Sequence, residues 1–319
     1  MNKTCWVILF TLLGMAGQAQ YPGKQELKQL KAKEDTLSIL SWRIGNEISP
    51  ANRLTADSFF VRVLVRAMAV KNSFGFPFDS VMMQRVYAPD SSFRIFTWQV
   101  DRSRDQLRQR GVIQYKTPDG SLRMTPLIDN SEFTEDVFTT NTNKNWIGAL
   151  YYKIILNEHE GKKYYTLLGL DDNNAKSTKK WIDVLTFENG QPVFGHPVFK
   201  NLPNNRNNRY VIEYKKDARA RLTWDEEQQM IVFDHLVSET GFVNQRHTFV
   251  PDGDYEGLKW ENGFWVYQPK IMCNCPLSNE KIDPLLGKPP VGDPLFDKEG
   301  VRDEKKIQDK SKKNGGGGE

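Results

Sequence analysis

Between Tyr87 and Gln268 the chain repeats one pattern: a short run of aromatic and β-branched residues, a turn signal, then another such run. Residues 93–100 read Phe-Arg-Ile-Phe-Thr-Trp-Gln-Val, a composition that favours strands. Pro118-Asp119-Gly120 separates runs 111–116 and 121–128, and residues 158–161 separate runs 146–157 and 162–170. Glu188-Asn189-Gly190 follows run 180–187, residues 225–228 divide 218–224 from 229–237, and Asn262-Gly263 divides 258–260 from 264–267. Asn-Gly and Asp-Gly suit the positive φ of tight hairpin turns. Connections this short imply antiparallel neighbours, because parallel pairs need long crossovers. The reading is roughly ten to twelve strands. The clearest alternation sets Ala218, Ala220, Leu222 and Trp224 against Arg219, Arg221 and Thr223.

That many strands must close or stack to hide their edges. A curled meander, a barrel-like sheet and a sandwich all satisfy this. An outer-membrane barrel is disfavoured, because the runs do not alternate cleanly and a polar tail follows the last of them. No blade-length period supports a propeller.

Ahead of the strands the period is helical. Leu27, Leu30, Leu37, Leu40, Ile44 and Ile48 predict a helix over 23–49, stopped by Pro50. Phe59, Phe60, Val63, Leu64, Ala67 and Met68 predict a second over 55–70, with Asp57 complementing its dipole. The fold class expected is therefore α+β and mainly antiparallel β: N-terminal helices, then a large β-meander.

Residues 1–19 have the pattern of a cleaved export signal. Lys3 is followed by an apolar stretch from Cys5 to Met15, and Gly17 and Ala19 stand before a cleavage point at Gln20. The stretch is well short of the roughly 20 residues a membrane-spanning helix needs, and no later segment approaches it. The expected organisation is a signal peptide over 1–19, a helical segment over 20–86, a β-rich body over 87–272 and a disordered or loosely docked tail over 273–319. The tail reading rests on its prolines, its Lys-rich run and Gly315 to Gly318. The expected location is periplasmic, outer-membrane-associated or extracellular.

Composition excludes little. The chain carries +4; removing 1–19 removes Lys3 and no acid, leaving +3. A balance that weak argues neither for nor against a nucleic-acid partner; export is what argues against one. Two cysteines remain after cleavage, Cys273 and Cys275, so disulfides do not staple the body. Residues two apart reach disulfide geometry only through a bend.

The strings Tyr87-Ala88-Pro89-Asp90-Ser91-Ser92-Phe93-Arg94-Ile95-Phe96, Tyr164-Tyr165-Thr166-Leu167-Leu168-Gly169-Leu170-Asp171 and Met230-Ile231-Val232-Phe233-Asp234-His235-Leu236 resemble exported bacterial proteins of unknown function. The resemblance implies export and a continuous body, and it carries no site.

Asp252-Gly253-Asp254-Tyr255-Glu256-Gly257 is the best metal candidate, with Asp252, Asp254 and Glu256 as oxygen ligands for calcium. The position that should supply a bidentate Glu is Gly263, and the flanks read as strands. A polar turn is the competing reading. Asp171-Asp172-Asn173-Asn174 reads as an Asx-rich loop. Asp234-His235 suggests a carboxylate-oriented imidazole, but neighbours on a strand face opposite ways. No Gly-x-Ser-x-Gly elbow supplies a nucleophile. His159, His196 and His247 lack zinc-helix spacing. Trp98, Trp146, Trp181, Trp224, Trp260 and Trp265 suit either core packing or stacking on sugar rings. Lys215, Lys216, Arg219 and Arg221 read as a solvated strand face.

Two functions follow as expectations. The first is a non-enzymatic binding or envelope-associated protein whose β surface meets a protein or glycan. The second is an extracytoplasmic hydrolase whose site is assembled from separate strands. A structural role, with the first helix or the tail docked on a partner, is a third.

Overall fold

The computed structural model describes residues 21–103, 106–131, 137–203 and 208–271. The segments read as an export signal and a tail, with Cys273 and Cys275, lie outside the described residues.

Helix α1 spans Lys24–Asn46 and buries Leu30, Leu37, Ser41 and Ile44. It ends before Ile48, which is exposed, so the apolar series overran the helix. Helix α2 spans Pro50–Met68 and begins earlier than expected. Pro50 starts this helix rather than merely stopping the first, because a fixed φ and a missing N–H suit the first turn. Arg53 fastens the connection: Nη1 donates to the carbonyl of Glu47 at 2.7 Å and Nε to that of Asp101 at 2.8 Å. Val61, Val63 and Val65 are helical despite their β-branching, since alternate burial against α1 and a sheet outweighs propensity.

Fifteen strands follow among the described residues. In order they are β1 (Gln84–Tyr87), β2 (Phe93–Asp101), β3 (Leu107–Tyr115), β4 (Arg123–Ile128), β5 (Asn141–Thr142), β6 (Leu150–His159), β7 (Lys162–Asp171) and β8 (Ser177–Glu188). Then come β9 (Gln191–Phe194), β10 (Phe199–Lys200), β11 (Tyr210–Lys215), β12 (Leu222–Asp225), β13 (Met230–Ser238), β14 (Phe249–Glu261) and β15 (Phe264–Ile271). The surplus over ten to twelve comes from pieces as short as β5 and β10. The expected run 218–224 contracts to β12, because the chain turns at Lys215–Ala218 before pairing resumes.

The hairpin signals fold as the residues dictate. Glu160-Gly161, Asn189-Gly190 and Asn262-Gly263 all place both residues at positive φ, the twist that matches the flanking strands.

The strands form three sheets and no closed barrel. Sheet I has the order β1-β2-β3-β4, sheet II β5-β9-β8-β7-β6 with β11 also on β8, and sheet III β10-β15-β14-β13-β12. The pairs are antiparallel except β10 with β15, which is parallel and reached by a long connection.

Three hydrophobic clusters show how these elements stack. One joins Leu30, Phe60 and Leu64 of the helices to Phe96, Trp98 and Val100 of β2. A second joins Phe93 and Ile95 of β2 to Tyr165 and Leu167 of β7 and Trp181 and Leu185 of β8. A third joins Leu168 of β7 and Ile182 and Val184 of β8 to Ile231, Phe233, Leu258 and Trp265 of sheet III. The order is helices, sheet I, sheet II, sheet III. Sheets I and II are covered on both faces, so β2 and β8 are buried almost throughout and show no polar face.

Candidate functional site

The best-formed cavity among the described residues lies where α2 hands over to sheet I. A short 3-10 turn, Ser73–Gly75, follows α2. The β3–β4 turn docks onto it, with the amide of Asn72 donating to the carbonyl of Gly120 at 2.9 Å. Gly120 sits at φ +73°, and an added Cβ would collide with the Asn72 side chain. Only glycine fits there on both counts. The β1–β2 turn, carrying Ser91, closes the third side. The enclosed volume is about 290 Å³, at the small end for ligand pockets. Tyr21, Phe74 and Tyr87 provide rings; Asn72, Ser91, Gln114, Lys116, Thr117 and Ser121 provide polar groups. No carboxylate lines it.

Behind this wall lies Arg94, fully buried. Its Nε donates to Gln114 Oε1 at 2.9 Å, Nη1 to the Phe76 carbonyl at 2.7 Å and the Tyr87 hydroxyl at 2.8 Å, and Nη2 to the Ser73 carbonyl at 2.8 Å. Four rings surround it, with Phe96 nearest at 4.5 Å and Phe74, Phe78 and Tyr87 at 5.4 to 5.6 Å. Among the described residues no carboxylate pairs with it. Burial lowers its pKa to about 10, so the charge persists at neutral pH. Dipoles and ring faces carry the whole task of balancing a buried cation.

Sequence reasoning missed this site. The signal was present in β2: Arg94 shares strand parity with Phe96, Trp98 and Val100, so period two puts a guanidinium on a core-facing row. The wall residues come from the segment before α1, the α2 exit, β1, β3 and two hairpin turns, and no spacing links them.

The structure places the calcium candidates on β14 opposite His235 of β13. Register slips there, so that Asp234 faces Tyr255 and Leu236 faces Pro251, leaving His235 across from a bulge at 252–254. His235 Nδ1 lies 2.8 Å from Asp252 Oδ2, and Nε2 lies 3.8 Å from Glu256 Oε1. Tyr267 donates its hydroxyl to Glu256 at 2.7 Å. Asp252 also accepts the amide of Asp254 at 3.1 Å. Two of the three expected ligands, Asp252 and Glu256, thus flank one imidazole. Among the described residues no three His, Cys, Asp or Glu side chains converge as a metal site. The carboxylate orienting His235 is Asp252, across the strands. Its neighbour Asp234 accepts the amide of Arg221 at 2.6 Å, as opposite-facing strand neighbours require. Among the described residues no serine or threonine hydroxyl bonds to this pair.

The remaining candidates resolve into packing. Trp98, Trp146, Trp181 and Trp265 are core side chains, and Trp265 Nε1 donates to Thr166 Oγ1 at 2.9 Å. Asp171 is buried at the end of β7 and accepts from Gln109 at 3.2 Å, so the Asx loop begins inside the core. His196 is buried against Thr186 Oγ1 at 2.7 Å. The basic cluster divides: Lys215 pairs with Glu239, Lys216 with Asp172, and Arg221 is buried with its guanidinium 5.0 Å from the Tyr255 ring. The chain matches no protein-family model and no curated protein.

Proposed function

We propose that this chain acts outside the cytoplasm as a non-enzymatic binding protein, with its ligand in the cavity between the α2 exit and sheet I. The observation that carries the reading is the cavity itself: open to solvent on one side, lined by rings, rich in hydrogen-bonding groups and backed by a buried cation. Export is supported by the pattern of residues 1–19, and among the described residues no helix is long and apolar enough to cross a membrane. Periplasmic, outer-membrane-associated and extracellular sites all fit that pattern. A protein or glycan partner on the β surface fits the same reading.

A hydrolase is the second reading, favoured by the His235–Asp252 pair. That pair lies half-exposed on a bulge without an attacking hydroxyl or thiol beside it, which is why binding takes precedence.

A ligand-observed NMR screen of small aromatic compounds tests the proposal. Compounds that bind the purified protein should be lost from a Lys116→Trp variant, whose new ring plugs the cavity. Equal binding to both proteins would place the ligand elsewhere. Ester hydrolysis abolished by His235→Gln would replace binding with catalysis.

A further inference from the structure

We propose that the occupant of this cavity is an anion, a carboxylate on a flat aromatic body, and that the Tyr87 hydroxyl reads its charge. The inference rests on the binding reading above and adds the ligand's chemical class.

Charge is the first argument. A cavity of this kind selects by what its walls leave unbalanced. Lys116 stands on the wall, Arg94 stands directly behind it, and none of the lining residues is acidic. Arg94 makes four hydrogen bonds, all to neutral acceptors, which engage four of its five N–H donors without cancelling its charge. A cationic ligand entering here would meet two positive charges, and the acid of the neighbouring turn, Asp119, is engaged by the amide and hydroxyl of Ser121. A neutral ligand would gain hydrogen bonds without charge complementarity.

Tyr87 carries that charge to the cavity surface. Its oxygen accepts Arg94 Nη1 at 2.8 Å, so its own proton must point away from the guanidinium. Tyr87 also lines the cavity and is 43% exposed as a residue, and in the proposed complex this proton turns to the ligand. A hydroxyl that accepts a charge-assisted bond is polarised and becomes a better donor in turn. Arg94 is therefore a positioning and polarising residue. Tyr87 and Lys116 are the groups that touch the ligand.

Shape gives the aromatic body. Phe74 and Tyr87 stand edge to face, with ring centres 6.0 Å apart, and Tyr21 supplies a third ring at the mouth. Rings arranged in this way offer faces and edges to a flat partner. An inorganic anion would leave most of the roughly 290 Å³ unfilled.

The probes are 2-naphthoate, 2-naphthamide and 2-naphthylmethylammonium, which share one body and differ in charge. The readout is the backbone amide shifts of Gly75 and Gly120, both on the cavity wall. Naphthoate is expected to bind at least tenfold tighter than naphthamide, and the ammonium compound not to saturate. Tyr87→Phe keeps the ring and should bring naphthoate to within about twofold of naphthamide, with naphthamide unchanged. Should that variant fail to fold, Lys116→Met on the exposed wall is expected to weaken naphthoate several-fold and spare naphthamide. Equal binding of acid and amide by the parent would overturn the anion inference and leave the cavity reading standing. A folded Tyr87→Phe that keeps the tenfold preference would overturn the role of Tyr87. Shifts at neither glycine with any probe would remove the cavity reading itself.

Discussion

Replacing Asp171 by Asn should change how stability depends on pH, by an amount the structure sets. Asp171 ends β7 in the layer between sheets I and II. Burial raises its carboxyl to about 6; the Asn173 amide, the charge of Lys179 and the Gln109 amide oppose that rise, and Asp129 reinforces it. A carboxyl raised in the folded state holds its proton where the unfolded chain has lost it. Between about pH 4 and pH 6 the folded protein therefore binds more protons, and stability falls as pH rises. From the ordinary 3.8 to about 6, at roughly 1.4 kcal/mol per pH unit, the change totals about 3 kcal/mol. His196 works the other way in the same window: burial and Lys162 hold its imidazole at about 4, so its neutral form favours folding as pH rises. Because His196 is present in both proteins, it cancels in their difference. Urea unfolding of parent and Asp171→Asn at pH 4.5, 5, 5.5, 6 and 7 isolates the carboxyl. The variant should gain on the parent by about 1.4 kcal/mol per pH unit up to pH 6 and then run parallel. Curves parallel from pH 4.5 upward would refute the reasoning.

Asp90 presents the opposite sign. Burial works to raise its carboxyl, but hydrogen bonds from Lys163, Ser92 and Tyr165 outweigh it and hold it at about 2. Its contribution is complete above its ordinary pKa and is lost as pH falls toward 2, so the stability gap between parent and Asp90→Asn should close in acid unfolding below pH 4. Asp183 of β8 and Arg209, just ahead of β11, form a buried pair at 3.1 Å. Asp183→Asn removes the anion that balances the guanidinium, which keeps its bonds to the Thr139 carbonyl and Asn141, and should cost about 3–5 kcal/mol in urea melts, whereas Asp183→Leu combined with Arg209→Met should recover most of that loss. Melting curves with and without millimolar calcium should superimpose, since Asp252 and Glu256 are engaged with His235 and Tyr267; a shift lost in Asp252→Asn would restore a metal role.

The architecture was legible where local chemistry decides it. Gly161, Asn189-Gly190 and Asn262-Gly263 mark hairpins because few other residues tolerate those dihedrals, and the helical stripe around Phe60 and Leu64 follows from burial on one side. What period two conceals is stacking. A strand buried on both faces, such as β8, has no polar row to reveal which way it faces, so three sheets read as one long meander. The Arg221 guanidinium misled for a related reason: its neighbour Arg219 is exposed, and sequence does not show that Tyr255 covers the other. The cavity was illegible because its wall comes from the α2 exit and two hairpin turns, which only the packed sheet brings together.

The buried charges sort by how each is relieved, and that sorting marks the cavity as more than a packing defect. Asp183 has Arg209, and Asp57 of α2 has Arg110 at 2.7 Å together with Trp98 Nε1 at 2.9 Å. Asp171 takes up a proton as pH falls through about 6, and above that the Asn173 amide, Gln109 and the charge of Lys179 support its carboxylate. Arg94 has neither course. It remains charged with a pKa lowered only to about 10, and the described residues bring it no acid. Its carbonyls and rings reduce the cost of that charge without removing it. A second polar acceptor at the Tyr87 hydroxyl would extend the same hydrogen-bond chain outward, and an anion there would complete what the core leaves open. The position of the uncompensated charge, directly behind an open wall, ties the energetics of sheet I to the binding proposed for this cavity.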